Sequence, residues 1–396
     1  MADEQGCATA SAANAEGSGA ADSEDTDQNQ NLTAHEMLLA QFPPMKDLRA
    51  AIEDFSAPLP MRMRAVYYLR TIASDEAIDV LGKGLLVREN TPLMRHELAY
   101  VLGQIQNARA CPVLEKILGD ESDNAMVRHE SAEALGAIGE ERSLPLLERC
   151  SEDKMMEVAE TCQIAADFMK WTLKKKTGEQ AGAAPMMCAC MSPYNSHDPA
   201  PLDPEFDGMG VEAMGAVLVD DKERMLRRYS AMFALRNRGG EDAVRILGGA
   251  LVNDTSSALF RHEVAFVLGQ MQHPAAIEAL AESLQRKDEH SMVRHESAEA
   301  LGAIEGSDEE WARCESVLQA HMADYDPVVI ESCEVALDAA DYWAQVERHG
   351  SDKVVDGVRG FAELKRQSEK LDTLRGHFNI ASSASAAPPP APPVGA

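Results

Sequence analysis

Between about residues 34 and 345 the apolar residues recur at i, i+3, i+4 and i+7 in short stretches broken by Gly, Pro, Asn and Asp, the signature of successive amphipathic helices. Four of these stretches superpose: MRHELAYVLGQIQ from Met94, VRHESAEALGAIG from Val127, FRHEVAFVLGQMQ from Phe260 and VRHESAEALGAIE from Val293. Within each half the copies lie 33 residues apart, and across the halves they lie 166 apart (96 to 262, 129 to 295). A pair of units has therefore been duplicated as a pair. A period near 33 marks stacked helical hairpins. The spacing predicts a helix from about Ala125, capped by Asn124 and ended by Gly139, with Thr91-Pro92 and Ser257 opening its counterparts. RMRAVYYLR from Arg62, EVAETCQIA from Glu157, RRYSAMFALR from Arg227 and VIESCEVAL from Val329 extend both halves. The expectation is an all-α protein, two α-solenoid blocks of about four units each.

The remaining stretches lack this period. They divide the chain into a disordered acidic tail (1–33), an N-terminal block (34–175), a linker rich in Pro, Gly and Ala (176–210), a C-terminal block (211–345), a helical extension (346–380) and a disordered Ala/Pro tail (381–396). Aromatics are only 5% of the 396 residues, which favours closely packed helices over a β-sandwich. With 37 Lys+Arg against 66 Asp+Glu, the charge of −29 disfavours nucleic acid and anionic lipid and suits a basic partner. No run of about 18 apolar residues predicts a membrane span, and the N-terminus has no signal-peptide pattern. Eight irregularly spaced cysteines read as free thiols of a cytoplasmic protein.

The fold does not account for the paired histidines and glutamates. The flanking units place Met63-Arg64 and Tyr229-Ser230 where the middle units carry His96-Glu97, His129-Glu130, His262-Glu263 and His295-Glu296. A lone His-Glu on a helix is usually a surface pair. Four at one equivalent position share a surface of the stack, and blocks facing each other across a pseudo-twofold axis would bring all four pairs together. Neighbouring residues on a helix diverge by about 100°, so one member of each pair is expected to aim at an ion and the other to sit at its edge. Converging carboxylates repel one another unless cations hold them. Imidazole with carboxylate and no thiolate suits non-haem iron or manganese. By contrast, Arg95, Arg128, Arg261 and Arg294 precede each histidine, and Arg62 and Arg228 persist without one, so they read as structural. Cys188 and Cys190 form an isolated Cys-x-Cys, and Met126 and Met292 read as core or pocket wall.

With these residues in view, the chain resembles the deoxyhypusine hydroxylases. The likeness rests on the four His-Glu pairs in duplicated HEAT-like hairpin repeats, on RHESAEALGAI in both blocks, on DPAPL from Asp198 and on DPVVIESCEVALD from Asp326. The acidic N-terminal extension, the linker around Cys188 and Cys190, and the C-terminal tail depart from the family pattern. The resemblance implies a dinuclear iron monooxygenase that uses O2 to hydroxylate the deoxyhypusine side chain of translation factor five-A, completing hypusine. It implies two Fe2+ ions per chain with a bridging O2 or peroxo species. His96, His129 and Glu130 would hold one ion, and His262, His295 and Glu296 the other. Glu97 and Glu263 would either complete the metal sites or grip the substrate amines as catalytic and substrate-binding residues. The enzyme would be a monomer whose partner is the substrate protein, with no nucleic acid or membrane involved. Two other readings stand beside it: a non-enzymatic repeat scaffold for a basic protein, and a different metal-dependent hydrolase or lyase.

Overall fold

The computed structural model describes residues 42–176, 194 and 196–349; the two tails, Cys188, Cys190 and the extension beyond residue 349 lie outside the described residues. Among the described residues, sixteen α-helices follow one another as eight hairpins. The N-terminal four are α1 (Met45–Glu53) with α2 (Leu59–Ile72), α3 (Asp75–Leu86) with α4 (Pro92–Ile105), α5 (Cys111–Leu118) with α6 (Ala125–Ile138), and α7 (Leu144–Cys150) with α8 (Met156–Lys176). The C-terminal four are α9 (Val211–Val219) with α10 (Met225–Arg238), α11 (Gly240–Asn253) with α12 (Ala258–Met271), α13 (Ile277–Gln285) with α14 (Ser291–Gly302), and α15 (Asp308–His321) with α16 (Pro327–His349). The four units per block read from the sequence are all present.

The helix starts follow from local chemistry. Thr91, Asn124 and Ser257 each accept a hydrogen bond from a backbone N–H in the first turn of α4, α6 and α12, satisfying a donor the helix itself leaves open. Gly139 ends α6 in the left-handed conformation that lacks a penalty only for glycine. The second helices of successive units then pack side by side. Their spacing is set by small residues: a Cβ on Gly136 would stand 2.7 Å from Ala165 Cβ, and one on Gly103 would stand 2.8 Å from Ala134 Cβ.

The arginines before the histidines staple one unit to the next, as the sequence suggested. Arg95 Nε donates to Leu85 O at 2.8 Å and the guanidinium grips both oxygens of Asp123 at 2.6 Å. Arg128 repeats this with Leu118 O and Asp153, Arg228 with Leu218 O and Asp254, and Arg294 with Leu284 O and Asp324. Each arginine thus satisfies an orphan carbonyl at the end of its own first helix. It also pairs with an aspartate in the turn of the following unit. Arg261 differs, pairing with Glu289 and with the Asp254 carbonyl instead.

The blocks meet at two junctions. Helix α8 packs on α10 and α12, and α16 packs on α2 and α4. Asp167 pairs with Arg224 at 2.8 Å at the first junction, and Arg64 pairs with Asp338 at the second. The described part of the predicted linker also has a structural role. His197 is clasped through its backbone by Gln104 of α4 (3.1 and 3.4 Å), while Asp198 takes Arg236 of α10 in a two-pronged pair (2.8 and 2.6 Å). This strap binds both blocks. Met292 is core, and Met126 packs half-buried against the N-terminal core. Among the described residues no helix is long and apolar enough to cross a membrane.

Candidate metal centre

The two junctions turn α4, α6, α12 and α14 toward one another, and the four histidines meet between them. His96 lies 5.4, 6.0 and 5.2 Å from His129, His262 and His295 between ring centroids, and His262 lies 5.4 Å from both His129 and His295. His129 and His295 are fully buried, and all four glutamates of the pairs are nearly so. The 100° divergence along each helix is partly absorbed by glutamate's length: Glu97 curls back until its Oε1 is 3.1 Å from His96 Nδ1. Neighbouring units then interlock, with Glu130 Oε2 at 3.1 Å from His96 Nε2 and Glu296 Oε2 at 3.5 Å from His262 Nε2.

Charge at this centre is unbalanced. Both ring nitrogens of His129, His262 and His295, together with Glu263 Oε1, are buried without a hydrogen-bond partner. Such groups carry a desolvation cost of kcal/mol size each. Burial, reinforced by the neighbouring imidazoles, drives the pKa of His129, His262 and His295 well below the ordinary histidine value. Burial opposes protonation at His96 too, but Glu130 and Glu97 override it and hold its pKa high. Burial, and then the nearby carboxylates, raise Glu263 and Glu296.

Those orphaned donors fit a bound cation. His96, His129 and Glu130 offer ligand atoms within 4.8 Å of one another, as do His295, Glu296 and Glu299, and His96, His262 and His295. Imidazole and carboxylate without thiolate is a donor set suited to iron or manganese. Beside it lies a cavity of about 120 Å³ lined by Tyr67, Arg70, Tyr100 and Phe266 and by six carboxylates: Glu97, Glu130, Glu133, Glu263, Glu296 and Glu299.

Sequence reasoning missed six of these linings: Tyr67, Arg70, Tyr100, Phe266, Glu133 and Glu299. Glu133 and Glu299 stand four residues after His129 and His295, one turn along the same helix face, so the repeated RHESAEALGAI string contained the signal. Burial raises both their pKa values. Glu299 accepts from Ser332 Oγ at 3.0 Å and approaches His295 Nδ1 at 3.6 Å. Tyr67 and Arg70 belong to a unit without a His-Glu pair and carried no such signal.

Comparison with known proteins agrees with this architecture. Residues 83–161, 211–302 and 250–338 match HEAT repeats. The chain is 44% identical over 310 residues to the deoxyhypusine hydroxylase of Xenopus laevis, covering 78% of this chain and 94% of that one. It is 45% identical over 191 residues to the deoxyhypusine hydroxylase of Gallus gallus, covering 48% of this chain and 59% of that one. The solved structure of human deoxyhypusine hydroxylase in complex with glycerol superposes with a TM-score of 0.67 at 43% identity, covering 77% of this chain and 98% of that one. Matched over nearly the full length of a curated relative and of a solved structure, the chain belongs to the deoxyhypusine hydroxylase family.

Proposed function

We propose that this chain is a monooxygenase that uses O2 to hydroxylate the deoxyhypusine side chain of translation factor five-A, with two ferrous ions per chain. The observation that carries the reading is the meeting of four buried histidines, from four helices in two blocks, with both ring nitrogens of His129, His262 and His295 left without a hydrogen-bond partner, beside a cavity walled by carboxylates. His96, His129 and Glu130 hold one ion in this reading, and His262, His295 and Glu296 the other. The iron supplies the activation of oxygen that an unactivated C–H bond requires and that acid–base side chains cannot supply alone.

The chain's own residues do the rest. Deoxyhypusine carries two ammonium groups on a flexible alkyl chain, and Glu97 and Glu263 bind them through charge-assisted hydrogen bonds. Tyr100 and Phe266, edge to face at 5.9 Å, give the cavity an apolar wall for the methylene groups and keep water from them. The overall charge of −29 steers a basic substrate loop to the surface, an attraction that added salt weakens. In this reading the enzyme works as a monomer in the cytoplasm.

Anaerobic iron analysis followed by turnover on a deoxyhypusine-bearing protein tests it. The loaded chain is expected to hold two irons and to hydroxylate the substrate, while His129→Ala and His295→Ala abolish turnover and preserve helicity. Full turnover in either variant removes the ligand assignment. A metal-free, colourless protein that still binds a basic partner leaves the scaffold reading.

A further inference from the structure

The duplication that built the two blocks makes their differences readable. The 166-residue offset places Tyr67 against Phe233, Arg70 against Arg236, Tyr100 against Phe266, and Glu133 against Glu299. Tyr67 and Arg70 line the cavity, with the Tyr67 residue 42% exposed. Phe233 and Arg236 do not line it, and both are 0% exposed. Arg236 is held by both oxygens of Asp198, by Gln270 Oε1 at 2.7 Å, and between the rings of Tyr194 and Phe233. The strap therefore seals one of two equivalent openings. Among the described residues the cavity has a mouth at Tyr67 and Arg70 and a closed end toward Asp198 and Arg236.

The carboxylates differ in the same sense. Glu97, at the mouth, has both oxygens engaged, by His96 Nδ1 and by the Tyr67 hydroxyl. Glu263, at the closed end, is only 2% exposed yet keeps Oε1 without a partner. Glu133 is the carboxylate that acts most strongly on Glu263, and Asp198 also acts on both. Glu299 belongs with Glu97 and Tyr67 at the mouth, tethered by Ser332.

The geometry points to a fixed polarity of substrate binding. The alkylammonium chain passes Tyr67 and Arg70, its terminal primary ammonium docks against Glu263 and Glu133 at the closed end, and its secondary ammonium stays on the Glu97–Glu299 side. This rests on the deoxyhypusine reading and adds Glu133 and Glu299 to it as residues that distinguish the two amines. An unpartnered, buried carboxylate oxygen is the strongest available acceptor for a cation that must shed its water.

A ligand-against-residue cycle tests the polarity without turnover. Equilibrium binding to the iron-loaded full chain, under anaerobic conditions, is measured for a deoxyhypusine-bearing protein and for the same protein carrying butyl-lysine, which lacks the terminal amine. Glu133→Gln is expected to weaken the first about tenfold or more and to leave the second unchanged, with Glu133→Asp recovering part of the loss. Glu299→Gln is expected to weaken both ligands equally. Iron content, measured in parallel, should stay at the wild-type level in both Glu133 variants. The reverse pattern, equal losses for both ligands in both variants, or loss of iron from Glu133→Gln overturns the assignment. Failure of the wild-type chain to prefer the deoxyhypusine protein over an unmodified lysine protein overturns the functional reading itself, whichever way the variants behave.

Discussion

The Tyr67 hydroxyl donates a 2.9 Å hydrogen bond to Glu97 Oε2, and Phe233, at the equivalent place in the other block, has no hydroxyl to offer Glu263. Two glutamates inherited from one ancestor thus differ in freedom. Burial and the Glu97 and Glu299 carboxylates hold the Tyr67 phenol protonated, its pKa well above the ordinary tyrosine value, so it stays a donor.

Tyr67→Phe should therefore release Glu97 without disturbing the fold, because it removes only the hydroxyl of a residue that lies outside the hydrophobic core. Loss of a hydrogen bond to a charged acceptor is worth about 1.5 kcal/mol, roughly tenfold. The expected result is a fall of that size in kcat/KM on the deoxyhypusine protein, with iron content and thermal midpoint near wild type. Unchanged kinetics would show that Glu97 needs no second anchor.

How far the sequence carried the structure differs from one residue to the next. The histidines and their glutamates were legible because a duplicated position kept a chemistry that helix packing does not need. Glu133 and Glu299 lay in the same repeated string and went unread, although an i+4 step places them on the histidine face. The strap was invisible for a physical reason: His197 and Asp198 look like linker residues, and their partners Gln104 and Arg236 are brought to them only by folding. Tyr67 is a difference between copies, and a search for repeats reads similarities.

The arginine staples make a stability prediction independent of catalysis. Arg128 and Asp153 are both nearly buried and joined at 2.6 Å, while Arg128 also satisfies the Leu118 carbonyl. Arg128→Ala leaves that carbonyl and the aspartate uncompensated, for which about 3–5 kcal/mol of destabilisation is expected. Arg128→Ala with Asp153→Ala should be less damaging than Arg128→Ala alone, since no buried charge then remains. Chemical denaturation of the two variants checks the order, and the reverse order would mean the pair contributes little beyond packing.

The same pairs set the acid limit of the fold. In Asp123 and Asp324 burial acts to raise the pKa, but the paired arginine and a backbone N–H outweigh it, leaving the value below the ordinary 3.8. Asp254 is lowered by Arg228 against the same opposition, and in Asp153 the Arg128 hydrogen bond is the largest influence. A carboxyl whose folded value is depressed binds fewer protons folded than unfolded. Its stabilisation is present above 3.8 and is lost as pH falls through the lower folded value. The midpoint of thermal unfolding, followed at constant ionic strength, should fall steeply below about pH 4. Arg128→Ala with Asp153→Ala should make that fall shallower.

Removing the metal should give the opposite slope at higher pH. Without a cation, burial keeps Glu263 and Glu296 well above the ordinary 4.5, so they hold protons in the folded chain that the unfolded chain has released. Their neutral forms become harder to keep as pH rises, and stability falls with it. His96, whose folded value is raised above 6.5 by Glu130 and Glu97 against the effect of burial, acts in the same direction above that pH. His129, His262 and His295, pushed below 6.5 by burial, act in the opposite direction, but only below that pH. Metal-free protein should therefore lose stability as pH rises above about 6.5. Ferrous iron should raise the unfolding midpoint and flatten that dependence, because a bound cation replaces the missing protons. His129→Ala should abolish much of the iron-induced shift. A metal-free midpoint that stays level between pH 6.5 and 9 would mean that water or a rearranged side chain, and not a proton, relieves the buried carboxylates.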